Sequence, residues 1–207
     1  KAMNCFEQMQ NEGLSPNVVT FICILQACGN LGAIDKGKSI HSEIVNRDWL
    51  DKYIVLGNAL LDMYAKCGML MKAQEVFEDL RGRNIASWNA IITAFAQEPE
   101  QGCKAVNYFE RLQSQLGLCP DSVTFICTLR ACGNIGAIDK GIEIHDEIIS
   151  KGLLEKDNVL GNALVDMYAK CGMLAKAIEV MEKLPVRDRV GWNALIGGYA
   201  QQGQGRE

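Results

Sequence analysis

Thirteen residues of this chain occur twice. Gly57 to Met69 returns 104 residues later as Gly161 to Met173, and Val165 in place of Leu61 is the one difference. A match of that length does not arise by chance, so the chain has to be read as a repeat array. Arrays of this kind bury the apolar face of each unit on its neighbours and have no single closed core. The stretch also predicts its own local structure. Leu56, Leu60, Leu61 and Tyr64 fall on one stripe of a helix. Cys67-Gly68 ends that helix, because glycine readily adopts the left-handed conformation that closes a helix C-terminus. A second stripe follows at Leu70, Ala73, Val76, Phe77 and Leu80. The unit is therefore helix, tight turn, antiparallel helix.

The same period runs through most of the remaining sequence. Val19-Thr20-Phe21-Ile22-Cys23 matches Val123 to Cys127, His41 matches His145, and Trp88-Asn89-Ala90 matches Trp192-Asn193-Ala194. Helix pairs are expected at 18–53, 54–84, 85–121, 122–157 and 158–188, with lengths of 36, 31, 37, 36 and 31 residues. Residues 1–17 match the second half of the 85–121 pair, and residues 189–207 match its first half. The expected fold is all-α, a right-handed superhelical solenoid of antiparallel helix pairs, with a lone second helix at one end and a lone first helix at the other. Two such half-pairs would complete one another between molecules, so head-to-tail self-association is an expectation. Such a contact is heterologous and can run on into a filament.

Bulk properties narrow the function without naming it. The formal charge is −4, which gives no global basic signal for nucleic acid, so an anion-binding face has to be a local stripe. No apolar run is long enough for a membrane span. The chain begins with Lys1, as expected of a piece of a longer protein whose address signal lies elsewhere. The nine cysteines include no Cys-x-x-Cys pair. Six of them are three repeated positions, Cys23/Cys127, Cys28/Cys132 and Cys67/Cys171, expected to be small buried contacts between helices. A reducing compartment fits them best.

The Val-Thr-Phe run, the Leu-Gly-Asn-Ala-Leu-Leu-Asp-Met-Tyr-Ala-Lys-Cys-Gly run at 56–68 and Ser87-Trp88-Asn89-Ala90-Ile91-Ile92 resemble the pentatricopeptide repeat family. The mixture of lengths resembles its plant PLS subclass, with long repeats at 18–53 and 122–157, short ones at 54–84 and 158–188, and a standard one at 85–121. Tetratricopeptide arrays are also stacks of helix pairs, but their Trp-Leu-Gly-Tyr pattern is absent here. The resemblance implies sequence-specific binding of single-stranded RNA, about one base per repeat. It further implies site recognition in organelle RNA processing such as C-to-U editing, in chloroplast or mitochondrion, beside other RNA-editing factors. Neither a cofactor nor catalysis by this chain is implied. Two alternatives stand beside it: a protein-binding helical scaffold, and the non-catalytic part of a longer cytidine deaminase.

The resemblance also assigns residues. The fifth residue of a repeat pairs with its last to read a base, which gives Asn58 with Asn84, Asn89 with Asp121, and Asn162 with Asp188; Asn193 holds the fifth place in the final half-repeat. An amide carries both donor and acceptor and suits an unpaired base edge. Asn–Asp is expected to prefer uracil and Asn–Asn to accept either pyrimidine, so residues 54–188 are expected to select pyrimidine–uracil–any–uracil. The alternative role for these asparagines is capping of helix starts. In the long repeats the same place is Ile22 or Ile126, which cannot hydrogen-bond.

The second residue of each repeat, Val19, Val55, Ala86, Val123, Val159 or Val190, is expected to sandwich base faces; packing between repeats is the alternative. Lys66 and Lys170 are candidates for phosphate contact, or for simple complementarity to a helix C-terminus. His41-Ser42-Glu43 and His145-Asp146-Glu147 match the His-x-Glu of zinc deaminases, but no Pro-Cys-x-x-Cys accompanies them, so ordinary helix residues and no metal are expected.

Overall fold

The structure, a computed structural model, describes residues 1–203. Every regular element among them is helical. The helices are α1 (Ala2–Asn11), α2 (Val18–Leu31), α3 (Ile34–Asn46), α4 (Trp49–Lys52), α5 (Ile54–Lys66), α6 (Leu70–Asp79), α7 (Ile85–Ala96), α8 (Gly102–Gln113), α9 (Ser122–Ile135), α10 (Ile138–Ser150), α11 (Asn158–Lys170), α12 (Leu174–Lys183) and α13 (Arg189–Gln201). A 3-10 turn at Pro99–Gln101 leads into α8. None of these helices is long and apolar enough to cross a membrane.

Short sequence signals set the helix ends. Asn17 opens α2 by accepting the Thr20 N–H at 3.0 Å, and Asp121 opens α9 by accepting the Thr124 N–H at 2.9 Å. In both cases the threonine hydroxyl returns a bond to the backbone N–H of the capping residue, so two otherwise orphaned donors are satisfied. At the other end of α5, the Gly68 N–H bonds Ala65 O and the Met69 N–H bonds Tyr64 O, both at 2.9 Å. That closure needs a residue at φ 72°, which Gly68 supplies, and Gly172 repeats it at φ 80° after α11.

The chain packs as two compact units, Lys1–Ala94 and Phe95–Glu207. In the first, α5 lies against α2 and α6. Phe21, Leu25, Ile44, Leu56, Leu60 and Phe77 are fully buried there, each contributing about 1.5–3 kcal/mol by leaving water. Trp88 packs edge-on to Phe77, with ring centroids 4.9 Å apart. In the second unit, α11 lies against α9, α12 and α13, and Phe125, Leu129, Ile148, Leu160 and Leu164 are fully buried. Glycine allows a matching close approach in the two units. A methyl on Gly57 or Gly161 would sit 2.4 or 2.2 Å from a terminal carbon of Leu80 or Leu184. Those leucines therefore seat the segment after the second helix directly on the start of the first.

Two features depart from the sequence reading. A short extra helix, α4, follows α3. Its Trp49 ring stands 5.9 Å from Phe21 and 5.7 Å from Tyr53, and the Arg47 guanidinium lies 5.0 Å from it. The second period has leucine and aspartate at the places of Trp49 and Tyr53, and turns instead of a helix there. The expectation of buried repeated cysteines fails at Cys23. Cys28, Cys127 and Cys132 are buried and Cys67 and Cys171 half-buried, but Cys23 is exposed on an open cleft beside Ala2 and Phe6, where α1 leaves it uncovered.

Candidate functional site

The site of the second unit starts from Asp188. Its backbone is extended, φ −96° and ψ 177°, so its carboxylate reaches forward over the first turn of α13 and accepts the Val190 and Gly191 N–H groups at 2.9 and 3.2 Å. The same carboxylate reaches back to α11. Asn162 Nδ2 donates to both of its oxygens, at 3.0 and 2.9 Å, and Asn158 Nδ2 donates to Oδ2 at 2.9 Å. The Gly191 N–H first, and then the Asn162 amide, hold the Asp188 carboxyl below the usual carboxylate range. It is therefore ionised at neutral pH, and the amide of Asn162 is oriented by a full charge. Asn162 is itself buried, at 5% exposure, with Oδ1 turned toward Gly191.

The first unit builds the corresponding arrangement from neutral groups. Asn58 Nδ2 donates to Asn84 Oδ1 at 3.4 Å. Asn84 Oδ1 also accepts the Ser87 N–H at 3.0 Å, so Asn84 caps α7 as Asp188 caps α13. The Ser87 hydroxyl, fully buried, lies 2.7 Å from Asn58 Oδ1 and donates to it. Asn89 lies in the first unit and Asp121 in the second; both are half-buried, Asn89 one turn into α7 and Asp121 at the start of α9.

Helix capping is thus the work of Asn17, Asn84, Asp121, Asp157 and Asp188, not of the recurrent amides. Asn58, Asn89, Asn162 and Asn193 all sit inside their helices, one turn further on. Val19, Val55, Val123, Val159 and Val190 are between 47% and 66% exposed, and Ala86 is exposed too. Lys66 and Lys170 are exposed but already paired. Each reaches Asp62 or Asp166 one turn earlier at 2.7 Å, and its stem runs close over Gly29 or Gly133. Exposed pairs of this kind are worth about 1 kcal/mol or less, so they leave the lysines free to exchange partners.

In the second unit Val159, Asn162, Asp188, Val190 and Asn193 share a cleft of about 470 Å³, which Val123 and Lys170 do not line. Ile126 and Arg130 of α9 line it, as do Val159, Asn162, Ala163 and Asp166 of α11 and Asp188, Val190, Asn193 and Ala194 at the start of α13. Apolar side chains lie beside one amide–carboxylate pair, an arrangement that can hold a flat ring and bond its edge. Ser87, Asn158 and Arg130 belong to the two sites but carry no signal in the sequence. Each falls where the other period has a different residue, Gly191, Ile54 or Gln26.

The histidines belong to neither site. His41 Nδ1 lies 2.9 Å from the Tyr64 hydroxyl, and His145 Nδ1 lies 2.9 Å from that of Tyr168. Burial lowers both histidine pKa values and raises both tyrosine pKa values, that of Tyr168 to about 12. No group of three or more metal-ligating side chains stands together among the described residues.

Comparison with known proteins gives a consistent picture. The family described as "Pentatricopeptide repeat domain" matches residues 1–31, and that described as "PPR repeat" matches residues 58–85, 162–188 and 190–207. A pentatricopeptide repeat-containing protein of Arabidopsis thaliana is 37% identical over 207 residues, all of this chain and 36% of its own length. A chloroplastic protein of the same description and organism is 38% identical over 207 residues, again all of this chain and 33% of its own. This chain therefore spans about a third of the length of such relatives. The crystal structure of the pentatricopeptide repeat protein PPR10 in complex with an 18-nt psaJ RNA element superposes with a TM-score of 0.79 at 18% identity, over 99% of this chain and 30% of that one. PPR10 from maize gives 0.77 at 19% identity, over 99% and 29%. The fold is that of a helical-repeat solenoid protein.

Proposed function

Since this chain belongs to the pentatricopeptide repeat family, we propose that it binds single-stranded RNA and selects bases through the amide pairs at the starts of its first helices. One observation carries the reading. Asn162 and Asp188, 26 residues apart in sequence, are hydrogen-bonded on the wall of a cleft whose other lining includes the exposed side chains of Val159 and Val190. A base ring lies against the valines. Its edge meets an amide that donates and a carboxylate that accepts. Uracil, with a ring N–H beside carbonyl oxygens, presents the complementary groups. Asn58 with Asn84 offers donor and acceptor from neutral amides, and accepts either pyrimidine.

The alternation of repeat lengths supports the plant PLS subclass, and with it a role in marking sites for organelle RNA processing such as C-to-U editing. The chain selects the site; other domains or RNA-editing factors perform the chemistry. Chloroplast or mitochondrion is the compartment, since relatives at 38% and 37% identity are described as chloroplastic and mitochondrial. Binding to a randomised single-stranded RNA pool, with sequencing of the bound fraction, tests the function. Enrichment of uracil that disappears when Asp188 and Asn162 are replaced by alanine is the expected result. Equal affinity for an all-adenine strand overturns the reading.

A further inference from the structure

The two periods differ in charge at two places of the same cleft. Where the first has neutral Asn84, the second has Asp188, and where the first has neutral Gln26, the second has Arg130. The exchanges have opposite sign and cancel. In the second unit both Arg130 and Asp188 line the cleft, together with Asp166.

Their partners set them apart. Asp166 holds Lys170 at 2.7 Å, and Asp188 is held by two amides and two backbone N–H groups. Arg130 is exposed and makes no hydrogen bond or ion pair among the described residues. It stands one turn beyond Ile126, which cannot hydrogen-bond, on the helix face that α9 turns to the cleft.

We infer that Arg130 is a phosphate-binding residue peculiar to the second period. An RNA strand drawn to the Asn162–Asp188 pair brings its negative backbone past two carboxylates, and an unpaired guanidinium at the same cleft offsets that repulsion. Five N–H donors in a rigid fork match two phosphate oxygens. No protein partner aims the guanidinium at a base edge, and its charge is left for the backbone. The inference rests on the RNA-binding reading given above.

The test is the salt dependence of binding to a uracil-containing strand. Arg130→Gln, which installs the residue of the first period, lowers the slope of log K against log salt by about 0.7, the share of one phosphate on a single strand. The advantage of the unsubstituted protein over this variant then shrinks about threefold between about 50 and 200 mM salt. Arg130→Lys keeps the slope, and Gln26→Arg steepens it by a similar amount. Uracil preference stays unchanged throughout, and thermal melting controls for folding. An unchanged slope in Arg130→Gln, or a change of base preference, overturns the inference while the base-selective reading stands. A protein with no affinity for RNA overturns both.

Discussion

Helices α5 and α11 differ at two of their thirteen residues, Ile54/Asn158 and Leu61/Val165, yet the asparagine each presents is wired differently. Asn58 is bound to a neutral amide, and its carbonyl takes the Ser87 hydroxyl. Asn162 is bound to a carboxylate that also holds Asn158, and glycine stands where Ser87 would be. The shared run that carries the amide does not decide how the amide is held. The start of the next helix pair does, through Asn84 and Ser87 in one unit and Asp188 and Gly191 in the other. The long shared run specifies packing, and a few variable neighbours set how the amide is held.

Four measurements sharpen this contrast. The largest difference is in the core. Trp88 is buried against Phe77, whereas its counterpart Trp192 is 51% exposed beside Met181. Trp88→Ala is expected to cost about 3–5 kcal/mol, and Trp192→Ala much less, as read by urea unfolding. Next come the caps. Asn84→Ala costs about 1 kcal/mol through the lost start of α7. Asp188→Ala lowers the melting temperature further, because it also strands the Asn158 and Asn162 amides, and it weakens discrimination for uracil about tenfold. Equal melting losses would show that the carboxylate adds nothing to the neutral amide.

Ser87→Ala comes third. It leaves Asn58 Oδ1 without its donor, at about 1 kcal/mol, and relaxes base choice in the first unit alone; a parallel loss in the second unit would break the comparison. The smallest effect should be common to both units. Burial lowers the pKa of His41 and of His145, so below about pH 6.5 the unfolded chain takes up protons that the folded chain resists. Stability is therefore flat above that pH and falls as the pH drops from there toward the folded values. His145→Gln flattens this decline in part, and His41→Gln does the same.

The fold could be read from the sequence because its signals are local and duplicated. The apolar stripe of Leu56, Leu60, Leu61 and Tyr64, and the Cys67-Gly68 closure, each appear twice with the same spacing. The amide positions could be read for the same reason. What could not be read lies where the periods disagree. Trp49 stabilises α4 through an edge-on contact with Phe21, and Tyr53 packs on Trp49 in turn, contacts that a helical period does not display. Cys23 follows the same Val-Thr-Phe-Ile run as Cys127 but is exposed where Cys127 is buried. Ser87 and Asn158 act across a helix pair, on partners 29 and 30 residues away, and only packing shows which polar groups meet.

The double use of Asp188 and Asn84 bears on the proposed recognition. One side chain starts a helix and also holds the amide that, on that proposal, distinguishes nucleotides. Recoding such a protein is thus confined to the short polar residues able to begin a helix, and each new letter is chosen from an alphabet that folding has already shortened.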